Sequence, residues 1–270
     1  KPGLPKRRKL AGDSFPSSLG NGDNHMLTIE PGHVMDAHQM RLRNLGFTIV
    51  EQAIGPDLLE RLRGCFDDLV ARHGELPTAA RPDTPSRDVN HVWDHEPLFE
   101  QLIDLPTVFP IAERYMHGDI ELLATAIANL MPAHTPARVP WHRDGDYLRF
   151  TYFLEDVTVE GGPTAVMPGT HREADGPPKW FNTDDGYPRA VPGMVKITAC
   201  AGSCMINDTR LWHSSTPNDS DQDRKLVWLV FKTAAQPETG FANLRLTEQF
   251  LSRQRSPLRR RLCGLTPDVS

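Results

Sequence analysis

No stretch of this 270-residue chain approaches the ~18 consecutive apolar residues that a membrane-spanning helix requires, and its first residues lack the apolar core of a secretory signal. Cysteine is scarce. Cys65, Cys200, Cys204 and Cys263 form no C-x-x-C pair and are too few for a disulfide framework, so they read as reduced and structural. A surplus of basic charge is also missing. Thirty Lys and Arg stand against 35 Asp and Glu, a net charge of −5, which excludes a chain whose main task is to lie along nucleic acid. A small-molecule partner, no membrane or nucleic-acid partner, and a monomer or homodimer are expected. A cytoplasmic location is expected too, with an address before Lys1 left open.

The 39% of hydrophobic and 24% of charged residues can bury a core under a soluble surface. Residues 1–28, with Pro2, Pro5, Pro16 and repeated Gly, Ser and Asn, carry no apolar periodicity. They read as a flexible tail that includes the basic run Lys6 to Lys9. Residues 29–270 read as one domain, comprising a helical part (29–118), a β-rich core (119–235) and a helical extension (236–270).

Helices are predicted over His33 to Arg43, from Gly55-Pro56-Asp57 to His73, and over Val108 to Tyr115. Phe47 to Val50 is β-prone, and residues 75–95, with Pro77, Pro82 and Pro85, read as a long loop. From Ile120 onward the texture changes to short β-prone runs. They are Ile120 to Leu130, Phe150 to Leu154, Ala165 to Met167, Met194 to Thr198, Cys204 to Ile206 and Leu226 to Phe231. Many short strands separated by turn signals point to a sandwich or barrel rather than βαβ units. Leu244 to Leu262 reads as helical, its arginines on a solvated or subunit-contacting face.

Four His-x-Asp/Glu units offer paired metal ligands: His73 with Glu75, His117 with Asp119, His142 with Asp144, and His171 with Glu173. The first two lie at predicted helix ends, where His favours the dipole and the following Gly stops the helix. His171 sits in a Pro/Gly-marked turn and reads as part of a rim loop. His142-Arg143-Asp144 lies in the β-rich half, and His213 in Leu211-Trp212-His213 offers a third ligand downstream. Two imidazoles and a carboxylate with open positions suit iron that must activate oxygen. Structural histidines remain the alternative at this point.

Four elements in order carry a resemblance: Trp-His-Arg-Asp-Gly at 141–145, Gly-Gly-Pro-Thr-Ala-Val-Met-Pro-Gly-Thr-His-Arg at 161–172, Trp-His-Ser-Ser-Thr-Pro-Asn at 212–218, and Arg224. Together they resemble the phytanoyl-CoA dioxygenase family of Fe(II)- and 2-oxoglutarate-dependent oxygenases. The resemblance implies a mainly β fold with flanking helices around a double-stranded β-helix, the jelly-roll or cupin-like core. It implies Fe(II), 2-oxoglutarate and O₂, with His142, Asp144 and His213 as ligands. Arg224, eleven positions after His213, matches the position that grips the keto acid's far carboxylate, a task suited to a guanidinium fork. Ser215 and Asn129 match positions near the co-substrate.

Arg143 stands where many members have Gln, and its charge could reach an anionic substrate. With Trp141, Tyr147 and the loop from Arg81 to Trp93 it is a candidate for lining the substrate pocket. The expected reaction is oxidation, foremost hydroxylation, of an unactivated C–H bond in a small secondary metabolite; acyl-CoA is the alternative substrate class. A non-catalytic, Zn- or Mn-binding cupin-like protein is the rival reading, and Arg224 is the residue that separates the two.

Overall fold

A computed structural model describes residues 31–77, 84–123, 126–137, 139–236 and 245–265; the expected amino-terminal tail lies outside them. Helix α1 spans Pro31–Leu45, strand β1 Phe47–Val50 and helix α2 Pro56–His73. In α2, Pro56 and Asp57 open the first turn and Arg72 and His73 close the last, while Leu62, Phe66, Leu69 and Val70 form its buried stripe. Arg63 on the same helix donates to the Leu154 carbonyl at 2.6 Å and to Glu155 at 2.8 Å, tying α2 to the β core.

The stretch predicted as a loop, 75–95, contains two elements. Strand β2 (Arg87–Val89) is followed by the single helical turn α3 (Val92–His95). Alternation was invisible there because Arg87 and Asp88 are polar, yet Val89, Val92 and Trp93 are fully buried and anchor the segment. Residues 78–83 of the expected loop lie outside the described residues. Helix α4 (Phe109–Tyr115) follows, and then strands β3 (Glu121–Leu122), β4 (Ile127–Met131), β5 (Leu148–Phe153), β6 (Ala165–Val166), β7 (Val195–Lys196), β8 (Cys204–Asp208), β9 (His213–Ser214) and β10 (Arg224–Lys232). Helices α5 (Glu248–Arg253) and α6 (Pro257–Leu262) end the described chain.

All strand pairs are antiparallel. The larger sheet runs β1-β8-β5-β10-β4-β2, with β3 on the far end of β10, and the smaller runs β7-β6-β9. Together they make the jelly-roll core flanked by helices. Period two divides each central strand of the large sheet between two environments. Leu148, Phe150 and Tyr152 of β5, Val227, Leu229 and Phe231 of β10, and Cys204 and Ile206 of β8 join α1, α2 and α4 in one core. Each fully buried side chain of that size contributes about 1.5–3 kcal/mol. The opposite face looks into the space between the sheets.

The carboxyl-terminal arginines depart from expectation. Arg253 pairs with Glu100 at 2.7 Å and Arg259 with Asp104 at 2.8 Å, while Phe250 stacks on Trp93 with ring centroids 4.5 Å apart. These side chains dock α5 and α6 onto their own chain; a sequence reading has no means of seeing acids so distant along the chain. The four cysteines are unpaired.

Candidate metal centre and its cavity

His142 and His213 face each other across an isolated antiparallel bridge, with both backbone hydrogen bonds at 3.0 Å. That pairing extends the small sheet by one rung beyond β9 and puts the two imidazoles side by side, ring centroids 4.1 Å apart. His142 Nδ1 lies 2.8 Å from the Pro140 carbonyl and His213 Nδ1 2.8 Å from the Leu211 carbonyl. A carbonyl only accepts, so each neutral ring carries its proton on Nδ1 and keeps a lone pair on Nε2. Asp144 turns back toward both: its carboxylate oxygens lie 3.7 Å from His142 Nε2 and 3.6 Å from His213 Nε2. The turn is fixed by Thr209, whose carbonyl accepts from Asp144 N at 3.0 Å and whose hydroxyl bonds the Gly145 carbonyl. A Cβ at Gly145 would meet the Tyr147 ring at 2.4 Å, so any larger residue at the bend requires that ring to shift.

One potential ligand atom from each of these three residues lies within 4.8 Å of the others, a set able to hold one ion. Burial, then the neighbouring His213, pushes the His142 imidazole down to about 4, so it is neutral and able to ligate at neutral pH. Burial pushes the Asp144 carboxyl up, but Arg149 and the two imidazoles outweigh it and hold it well below the usual carboxylate range. Two nitrogens and one carboxylate oxygen are the donor set of a facial triad for a first-row metal.

Below the triad opens a cavity of about 1500 Å³. Three alternate residues of β10, Arg224, Leu226 and Trp228, line it, as do Ile127 and Asn129 of β4 and Arg149 and Thr151 of β5. Arg224 donates to the Gly162 carbonyl and, at 2.8 Å, to Asn129 Oδ1; its Nε has no acceptor and is buried. Gly162 adopts φ 67°, and a Cβ there would meet Met131 Sδ at 2.8 Å, so the Gly-Gly-Pro turn can offer its carbonyl to Arg224 only as glycine. Asn129 bridges onward, donating from Nδ2 to Asp88 at 2.6 Å. Burial pushes Asp88 up to about 6 against the pull of Asn129 and Arg224, and burial pushes Arg224 down to about 10 against the pull of Asp88. A buried guanidinium with an unspent N–H fits a carboxylate ligand.

Ser215 also reaches the cavity. Its hydroxyl accepts from Val139 N at 2.9 Å, which locks the entering chain against β9. Tyr147 lines the cavity and packs with Leu123 and Val230. The other two substrate candidates lie elsewhere. Arg143 donates to the carbonyls of Thr170, Glu173, Asp175 and Arg210, at 2.5–3.0 Å, and so staples loops together instead of facing the cavity. Trp141 is 3% exposed, packs edge-on against Phe181 and donates from Nε1 to the Arg189 carbonyl at 2.7 Å. His171 is no rim residue either: buried, it places Nε2 3.2 Å from the Arg43 carbonyl at the end of α1. Sequence reasoning missed Arg149, Thr209 and Trp228, and it named the Arg81 to Trp93 loop that carries Asp88, Asn90 and His91 to the cavity without singling out Asp88. Arg149 had a readable signal, a charge between Leu148 and Phe150 just ahead of the β-prone run that begins at Phe150, whereas nothing marked Asp88 out within its polar loop.

Residues 42–226, well over half the chain, match the family described as phytanoyl-CoA dioxygenase. The chain belongs to that family. Among curated relatives, L-proline trans-4-hydroxylase of Streptomyces griseoviridis is 24% identical over 54% of this chain, which spans 66% of that protein, just under two thirds. Ectoine dioxygenase of Nocardia farcinica is 23% identical, covering 82% of this chain and 86% of that one. A solved structure of the epimerase SnoN, with Fe³⁺, α-ketoglutarate and nogalamycin RO, superposes with a TM-score of 0.64 at 20% identity over 77% of this chain and 88% of that one. Membership of the phytanoyl-CoA dioxygenase family and the superposition agree on the jelly-roll fold, and the curated relatives that the chain resembles are named as a hydroxylase and a dioxygenase. Among the described residues no helix is long and apolar enough to cross a membrane.

Proposed function

We propose that this dioxygenase holds iron with His142, Asp144 and His213, binds 2-oxoglutarate through Arg224, and oxidises an unactivated C–H bond of a small molecule, foremost by hydroxylation, in natural-product biosynthesis. The observation that carries the reading is the pairing of the three convergent ligands with a buried, partly unspent guanidinium in one cavity. When bound, iron and the keto acid draw on O₂ to supply the oxidising power that no side chain has. The chain supplies the geometry. The Pro140 and Leu211 carbonyls fix both imidazole tautomers, Asp144 stays ionised, and Asn129 aims Arg224. Leu226, Ile127 and Trp228 give the cavity an apolar wall that limits water. Ser215 and Tyr147 border the same space, the first on the co-substrate side and the second toward the substrate.

A plain Zn or Mn site has no use for Arg224, which supports the catalytic reading over a binding protein. The test is anaerobic titration with Fe(II) and 2-oxoglutarate, following the weak visible charge-transfer band of the chelate. His142→Ala should abolish the band, and Arg224→Ala should weaken keto-acid affinity by about a hundredfold, as for a lost charge-assisted bidentate contact. Unchanged affinity in Arg224→Ala would remove the clamp from the mechanism.

A further inference from the structure

Arg149 is a cation on the inner wall that is neither one of the three candidate metal ligands nor part of the keto-acid clamp, although its pairing with Asp144 helps keep that carboxyl ionised. It leaves β5 between Leu148 and Phe150, its side chain 18% exposed, and lies over the Trp228 ring with the guanidinium carbon 5.0 Å from the centroid. That cation–π contact favours a fork held against the indole on the cavity wall. One Nη donates to Asp144, and the other sits 3.4 Å from His213 Nε2. The Nε is buried and has no acceptor. The His213 Nε2 lone pair is the one a metal would take, and the Nε–H and both Nη1 hydrogens of Arg149 are then left without a protein acceptor beside the centre. Buried donors of that kind require an acceptor.

The cavity's own acids do not provide one. Asp144 already holds the other Nη, Asp88 is engaged by Asn129 below, and Glu75 lies at the mouth within reach of Asn90. The lining also includes Arg72, itself paired with Asp68 at 2.5 Å, and the stacked pair His73 and His95, centroids 3.9 Å apart. The donors of this wall left open to an anionic guest are those of Arg149.

We propose that Arg149 is the anchor for an acidic group of the primary substrate, so that the enzyme acts on small carboxylate-bearing molecules held beside the metal by a second guanidinium distinct from Arg224. The proposal rests on the function given above, and 2-oxoglutarate itself is the competing source of a carboxylate. Both points are separated by one set of measurements. Anaerobic enzyme loaded with Co(II) and 2-oxoglutarate is titrated calorimetrically with matched acids and primary amides: proline and prolinamide, benzoate and benzamide, cyclohexanecarboxylate and its amide. Each acid should bind at least about tenfold tighter than its amide, as expected for a charge-assisted contact.

Arg149→Gln should erase that preference, with metal loading measured separately because Arg149 pairs with Asp144, and 2-oxoglutarate affinity should fall far less than in Arg224→Ala. Arg149→Lys, which keeps charge but not the fork, should retain part of the preference and keeps the test valid if the Gln variant folds poorly. No acid preference in the unmodified enzyme, or a preference that survives Arg149→Gln, overturns the assignment. A fall in 2-oxoglutarate affinity as large as in Arg224→Ala also overturns it, because the guanidinium then serves the keto acid. Failure of the unmodified enzyme to bind 2-oxoglutarate at all would instead strike the parent reading.

Discussion

The two faces of strand β5 contrast sharply although their residues alternate along six positions. Leu148, Phe150 and Tyr152 face outward into the core beneath the helices and are 0–2% exposed; Arg149 and Thr151 face the cavity. Outward, volume decides which side chain is acceptable, and chemistry matters little. Inward, a donor or a charge at one position decides, and volume matters less. Folding and function are therefore separable within a single strand, and each face should respond to a different measurement.

The strongest way to break that separation is a pair of substitutions. Phe150→Ala should cost about 3–5 kcal/mol of stability, a large share of a typical domain's total, with the loss read by denaturant titration. His213→Ala should leave the denaturation midpoint nearly unchanged while lowering turnover on the order of a thousandfold, about 4 kcal/mol in activation free energy. If His213→Ala instead unfolded the protein, the inward face would be structural and the contrast would fail.

A smaller effect concerns pH. Asp88 is pushed up to about 6 in the folded chain from an unfolded value of 3.8, so the folded state binds its proton more tightly. Its contribution is fully present below pH 3.8 and is lost as pH rises through 6, at most about 3 kcal/mol. Asp88→Asn should flatten the pH dependence of stability between pH 4 and 7. A curve unchanged by the substitution would contradict the buried position of this carboxyl. Smallest is Asn129→Leu, which removes the acceptor for Arg224 Nη2 and should raise the 2-oxoglutarate KM about tenfold with kcat little altered. A selective fall in kcat would place Asn129 closer to the reacting centre.

Most of the architecture was legible because local signals and tertiary roles agreed. Pro56 and His73 bracket α2 as their residue types predict, β1 matches its β-prone run, and β5 and β10 overlap theirs. The convergence of His142, Asp144 and His213 followed from motif order. What escaped notice depended on partners distant in sequence. β2 is defined by its register with β4, Asp88 opposite Asn129, and its own residues carry no alternation. Arg143 sits inside the motif yet serves four loop carbonyls, a task that spacing cannot reveal. The arginines of α5 and α6 found acids some 150 positions earlier.

Strand β10 is paired by β4 from Arg224 to Trp228 on one side and by β5 from Leu226 to Phe231 on the other. Arg224 and Trp228 stand four residues apart on it, a separation of about 13 Å at ~3.3 Å per residue. Hemmed in by two neighbours, that span can neither stretch nor slip by a single step without turning every side chain to the wrong side. The strand works as a rigid gauge for whatever lies between its two ends, and new guests must be accommodated by reshaping the loops at the mouth.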